Sequence, residues 1–388
     1  MRASLRIAFY GLLFAGLSLP ACRLAKADDD ASILKSLKTV STVASTVPSN
    51  GDVNPYGIVR VERSVGKLEA GHILISNFNN IGNLQGTGTT IVDVSPGGAL
   101  TVFAQLDPTM LPGSCPGGIG LTTALAVLRS GWVIVGSLPT NAGSLIAGGS
   151  GCLIVLDSNG NPVETFYGSL INGPWDMTWL ERGDKAMLFV TNVLDGTLAA
   201  GGSVVHQGTV VRINLGNSET QMPWIESMTV IGSGFAQRTD PAALVLGATG
   251  VALSRNSHDD DRDDWRDRDD DGGTVLYVAD TVNSGVRAIS NPLFRTNTDR
   301  TGKLFASGGA LNQPLGLTVA SNGNVLTVNG ADGFIIEFNA HGNQVAKKLI
   351  DNTGGPPPGA GTLFGLIFVP DVGIYFVDDG SNTLNLLH

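Results

Sequence analysis

Histidine, cysteine and charge are all scarce in this chain of 388 residues. Five His, three Cys and only 15% charged residues leave little material for a zinc site, a dense disulfide scaffold or a phosphate-binding surface. No clustered Lys and Arg patch of the kind that neutralises phosphates is present, which argues against a nucleic-acid partner. Long apolar runs are missing too, since the longest, at residues 7–19, is too short to make a good membrane span. A Gly-x-Ser-x-Gly nucleophile motif at a strand-to-helix turn is likewise absent. Aromatic residues amount to 6%.

What is abundant is glycine, at 52 residues, together with 42% hydrophobic residues. Glycine spread along the chain without a three-residue period predicts many tight turns between short strands. The hydrophobic share is sufficient for a large core, which excludes a disordered or fibrous class.

The N-terminus has Arg2 and Arg6 ahead of the apolar run and small residues after it, the pattern of a secretory signal. Two processing sites compete. Ala25-Lys26-Ala27 before Asp28 suits ordinary signal cleavage, whereas Leu19-Pro20-Ala21-Cys22 is similar to a lipobox whose cysteine carries lipid. A periplasmic or secreted location is expected, with membrane attachment only if Cys22 is lipidated. The remaining thiols, Cys115 and Cys152, lie in Gly-rich turns and form a candidate disulfide in an oxidising compartment.

The formal net charge of −10 is concentrated. Residues 258–271 hold nine Asp and three Arg and account for most of it. Asp267, Asp269 and Asp271 followed by Gly272 open like a Ca2+ loop, but the twelfth position is Val278, so the chelating set is incomplete. A solvated insertion is the expected role, on the face away from a ligand pocket.

Residues 311–342 contain three short apolar runs bounded by Gly or Asn, which predicts three strands joined by tight turns. The same grammar recurs from Gly57, Gly120, Asp176, Gly250, Gly316 and Gly365, giving six units. A fourth run usually follows, as at 100–106, 164–168, 228–232, 303–307 and 344–350. Repeated four-stranded antiparallel units predict an all-β, six-bladed β-propeller. The last unit lacks its fourth run, so residues 37–47 are expected to supply it and close the ring. The expected organisation is a signal at 1–27, an N-terminal segment with the closing strand at 28–50, and the propeller at 51–388, interrupted by an acidic insertion at 256–273.

Asn312-Gln-Pro-Leu-Gly-Leu317 and the stretch from Tyr277 to Arg287 resemble NHL-type repeats of six-bladed propellers. The resemblance implies a broad superfamily that includes streptogramin lyases and calcium-dependent gluconolactonases. Shared architecture does not choose among their functions.

The loops after the second strand are long in the first three units, at 77–88, 137–151 and 192–208. They are expected to wall one side of a binding site, with Asn77, Asn79, Thr140, Asn141, Asn192 and Asp195 as polar contacts. Tyr56, Trp175 and Phe364 stand where first strands begin, and serve either as inter-blade packing or as a ligand platform. Asp176 replaces the glycine of the other units and is expected to project a carboxylate toward the channel. Asn54, Asn172 and Asn312 could add oxygen ligands for a divalent ion such as Ca2+, or cap turns. No other cofactor is indicated. Among the histidines, His206 is the single candidate base on the favoured face. The resulting expectation is a recognition or scaffold module for a protein, glycan or small-molecule ligand. A metal-assisted hydrolase or a lyase is the alternative, with Asp176 or His206 in the catalytic role.

Overall fold

The protein is described here by a computed structural model covering residues 31–146, 150–254 and 273–388. Beside a short hairpin of Thr140–Asn141 with Ser144–Leu145, its strands assemble into six antiparallel sheets whose innermost members contact one another around an axis. Blade 1 comprises Val53–Arg60, Ile73–Asn79, Gln85–Val94 and Leu100–Gln105. Blade 2 comprises Leu125–Val127, Val133–Ser137, Cys152–Leu156 and Pro162–Tyr167. Blade 4 runs through Ala248–Leu253, Val275–Asp280, Gly285–Ser290 and Lys303–Ser307, and blade 5 through Pro314–Val319, Val325–Asn329, Phe334–Phe338 and Gln344–Leu349. Blade 6 takes Leu363–Val369, Gly373–Asp378 and Thr383–Leu387 from the C-terminus, and Val40–Ser45 as its outer strand. The expected closing strand therefore pairs antiparallel with the last strand of the chain.

Blade 3 departs from the four-strand pattern. Behind Pro174–Arg182 and Lys185–Asn192 it carries a long hairpin, Val205–Gly216 and Trp224–Asp240, and then a fifth strand, Leu244–Leu246. Part of the segment expected to be loop is thus strand. Thr209, Val210 and Val211, and Thr229, Val230 and Ile231, are all β-branched, and such residues suit a pleated surface.

Middle strands are buried along most of their length, and wholly so at Ile73–Asn79 and Cys152–Leu156, because each is covered by a blade on both sides. Six of the core clusters accordingly lie one between each pair of adjacent blades. Burying each Val, Leu, Ile or Phe there contributes roughly 1.5–3 kcal/mol. The bridge between Cys115 and Cys152 ties the entry of blade 2 to its third strand.

Glycine recurs on the first strands for a steric reason. A Cβ on Gly365 would lie 2.1 Å from the Tyr56 carbonyl oxygen, and one on Gly316 would lie 2.3 Å from that of Phe364. Neighbouring inner strands approach so closely that a side chain has no room. By strand register the blade 2 counterpart is Ala124, not Gly120, so four of the other five blades carry glycine rather than all five. The inner strand of blade 2 is short, and four extra residues separate Gly120 from it, which defeats reading by spacing.

The N-terminal segment is held before it enters the ring. Buried Glu337 accepts hydrogen bonds from Ser32 Oγ, the Ile33 and Leu34 amides, and Asn324 Nδ2. Among the described residues no helix is long and apolar enough to cross a membrane. The acidic run at 258–271 lies outside the described residues, as do Cys22 and the predicted signal.

Candidate functional site

The inner strands leave a central channel with a cavity of about 890 Å³. An inner strand has hydrogen-bonding partners on one side only, so unpaired backbone groups face the axis beside the side chains. Ile58, Leu125, Val251, Leu317 and Ile367 supply apolar wall. Arg60, Arg63, Arg129, Arg182, Glu181 and Asp184 mark one end, where the inner strands of their blades finish. That end is on the face carrying the loops after first strands.

The opposite end is sealed. Tyr56, Phe78, Leu121, Leu138, Trp175, Val193 and Val245 form a buried cluster with Phe364 against it. Trp175 Nε1 donates to Tyr56 Oη at 2.8 Å, and the rings of Tyr56 and Phe364 lie 5.3 Å apart. The three aromatics serve as a plug.

The long loops of blades 1 to 3 pack over this plug instead of walling an open mouth. Gln85 of blade 1 donates to the Ala242 carbonyl of blade 3, and Thr140 of blade 2 donates to the Gly86 carbonyl of blade 1 at 3.2 Å. Leu145 and Leu244 rest against the aromatic cluster. The expectation that the long-loop face holds the mouth is therefore corrected: apolar side chains scattered in Gly-rich loops bury themselves on the plug. A more open cleft of about 630 Å³ remains in the outer surface of this lid, lined by Ser144, Leu145, Leu198, Arg238, Asp240 and Leu244. Its one ion pair, Arg238 to Asp240, spans 2.9 Å.

Several polar residues expected to contact ligand are structural ties. Asn77 Nδ2 donates to the Thr46 carbonyl, anchoring the closing strand. Asn79 Nδ2 donates to Asn83 Oδ1, while Asn79 Oδ1 accepts from Gly86. Asn192 Oδ1 accepts from the Gly173 amide and its Nδ2 donates to the Leu170 carbonyl. Thr140 is buried, and only Asn141 and Asp195 are exposed in this set. His206 is exposed at the start of its strand and does not line the channel.

Asp176 does line the channel. Its backbone is fixed by Thr191, whose Oγ accepts from the Asp176 amide and donates to the Thr249 carbonyl of blade 4 at 2.8 Å. The carboxylate turns toward blade 4, where Oδ2 accepts from the Val251 amide at 3.1 Å and Oδ1 from the Met177 amide at 2.8 Å. Where other blades abut through glycine, blade 3 inserts a carboxyl that satisfies an inner-strand N–H of its neighbour. Burial pushes this acid up to about 7, against the pull of those two amides. The same surroundings raise the Tyr56 phenol, first through burial and then through the nearby Asp176 charge.

A divalent ion does not fit here. It requires several oxygen ligands, whereas register places Gly57, Ala124, Gly250, Gly316 and Gly365 opposite Asp176. Asn54, Asn172 and Asn312 are not brought to the carboxylate, which corrects that grouping. The Asn54 amide bonds Asn382 Oδ1, the Asn172 carbonyl accepts from Gly151, and Asn312 Nδ2 donates to Asp332 Oδ2 at 2.8 Å. They hold turns at the blade entries. Among the described residues no group of three His, Cys, Asp or Glu could hold a metal.

A second acidic site lies in the last blade, where sequence reading singles out Asp378 at a strand end but not Asp379 beside it. Asp379 is pushed up to about 7 by burial and by Asp378 beside it, and one Asp379 oxygen has no hydrogen-bond partner. The adjacent pair Asp378-Asp379 in the last blade is visible in the sequence, but its burial depends on packing against the 351–362 loop.

No family description matches the chain, and no curated protein matches it. Solved structures do. A gluconolactonase from Xanthomonas campestris is 13% identical, with 89% of this chain and 88% of that one covered at a TM-score of 0.50. A streptogramin B lyase is 12% identical over 89% and 96%, with a TM-score of 0.46. The calcium-binding protein regucalcin from Agrobacterium tumefaciens is 11% identical over 88% and 92%, with a TM-score of 0.49. At this identity the first match establishes the six-bladed propeller fold and nothing about chemistry.

Proposed function

We propose that this chain is an extracytoplasmic recognition module that binds a small molecule in its blind central channel. The observation that carries this reading is a cavity of ligand size, closed at one end by an aromatic plug, with a deep carboxyl on its wall. Concave pockets of several hundred Å³ are the usual form of a small-molecule site, and this one combines apolar wall with charged side chains gathered at its mouth. The signal-like N-terminus and the disulfide support the location.

A second reading is favoured by one feature. A carboxyl pushed up to about 7 holds and releases a proton near neutrality, as a general acid or base does. On that reading the bound molecule is a substrate and Asp176 the proton carrier.

The test is a soak of crystals with a mixed panel of neutral, cationic and anionic fragments, followed by thermal-shift ranking of those seen. The channel reading expects density between Asp176 and the arginine-ringed mouth, and loss of the shift in Asp176→Asn. Density confined to the 630 Å³ lid cleft would move the site to the long-loop face. A fragment consumed by the wild type but only bound by Asp176→Asn would favour the enzyme.

A further inference from the structure

We infer that the channel is built for an organic cation, a protonated amine on an apolar body, with Asp176 as its counter-ion. The inference rests on the channel reading and names the ligand class that the wall selects.

Charge balance is the first argument. The lining contains Arg60, Arg63, Arg129 and Arg182 against Glu62, Glu181, Asp184 and Glu219, and these cancel. Two of the pairs are direct, Arg60 with Glu62 at 3.5 Å and Arg63 with Glu219. Among the described residues Asp176 is what remains, and no Lys, Arg or His of theirs acts on it. The titratable group facing it is Tyr56, which is neutral. A carboxylate partly withdrawn from water without a counter-charge is costly, and a cation brought by the ligand relieves that cost.

Hydrogen bonding is the second. The Met177 and Val251 amides donate to separate oxygens of the carboxyl, so both oxygens are already used as acceptors. This arrangement favours the ionised form and leaves further lone pairs for a donor, which an ammonium group provides in threes. A ligand offering an acceptor would instead need the protonated acid, which those two amides oppose.

The surroundings of the carboxyl exclude the simpler cation. Five blades carry glycine or alanine at the position of Asp176, so no second oxygen side chain converges on a metal. Ile58, Leu125, Val251, Leu317 and Ile367 offer apolar surface to an organic body. One carboxylate, an apolar wall and a wide cavity suit an amine.

Calorimetry with benzylammonium and benzyl alcohol, at pH 6 and pH 8, on the wild type and Asp176→Asn, tests this. Binding needs the ionised acid, which for a carboxyl at about 7 is about one-tenth of the protein at pH 6 and nine-tenths at pH 8. Benzylammonium should therefore bind about tenfold tighter at pH 8, at least tenfold tighter than the alcohol, and the preference should vanish in Asp176→Asn. Equal binding of the alcohol and the amine in the wild type would overturn the cation assignment while leaving the channel reading intact. Failure of both probes to bind would count against both. A thermal shift with Ca2+ that is lost in Asp176→Asn would overturn the organic cation in favour of a metal.

Discussion

Tyr56 and Asp176 show how one residue can carry both fold and site. The Tyr56 hydroxyl accepts from Trp175 Nε1 inside the plug, and both rings are almost wholly buried. Replacing Tyr56 with Phe keeps the shape and strands the indole N–H, which costs about 1–3 kcal/mol. Urea unfolding should report that loss; an unchanged midpoint would mean that the indole finds another acceptor. Asp176 was legible in the sequence as a departure from the repeat, because an acid among glycines is a local fact. Its direction was not legible. Only the packing of blade 3 against blade 4 shows that the carboxyl turns to meet the Val251 amide. Asn77 and Asn192 illustrate the converse: polar residues at strand ends look like ligand contacts in a sequence, yet packing turns them inward onto backbone.

At the scale of elements, the strands were read well and the loops poorly, for a physical reason. A strand advertises itself through local alternation and turn residues, so the six units and the closing strand Val40–Ser45 were visible. A loop's direction depends on distant partners. Leu145 and Leu244 pack on an aromatic cluster from blades 1, 3 and 6, and nothing near them in the chain announces it. One consequence concerns blade 3: Val193 and Thr197 are buried, and the Asp195 carbonyl accepts from Gln237, so residues 194–206 are part of the lid. The N-terminal strap is a second such element. Glu337→Ala removes the acceptor of four hydrogen bonds, and bonds to a charged group contribute roughly 1.5–3 kcal/mol each. The variant should lose at least ~3 kcal/mol. Amide exchange should quicken first in residues 31–45; uniform protection there would show that strand pairing alone holds the segment.

Among the described residues, blade 3 alone places an acid on its inner strand where the other blades of the ring carry glycine or alanine. The ring's architecture was legible from the repeat, while the open face of the channel was not, since that depends on which loops fold over the axis. The ring also fixes a pH dependence. Folded Asp176 keeps its proton up to about 7, whereas an unfolded Asp releases it near 4. Between those values the folded state binds more protons, so stability falls as pH rises through the window. Asp379 adds a slope of the same sign. Comparison with Asp176→Asn cancels that contribution.

The deciding measurement is the difference in melting temperature between wild type and Asp176→Asn from pH 5 to pH 8, with and without benzylammonium. A partly buried acid lacking a counter-charge predicts that the wild type loses ground to the variant as pH rises toward 7, and that the amine restores it at pH 8. A difference that stays flat across the range would mean that Asp176 keeps one protonation state throughout, and the account of it as an uncompensated acid awaiting a cation would fail.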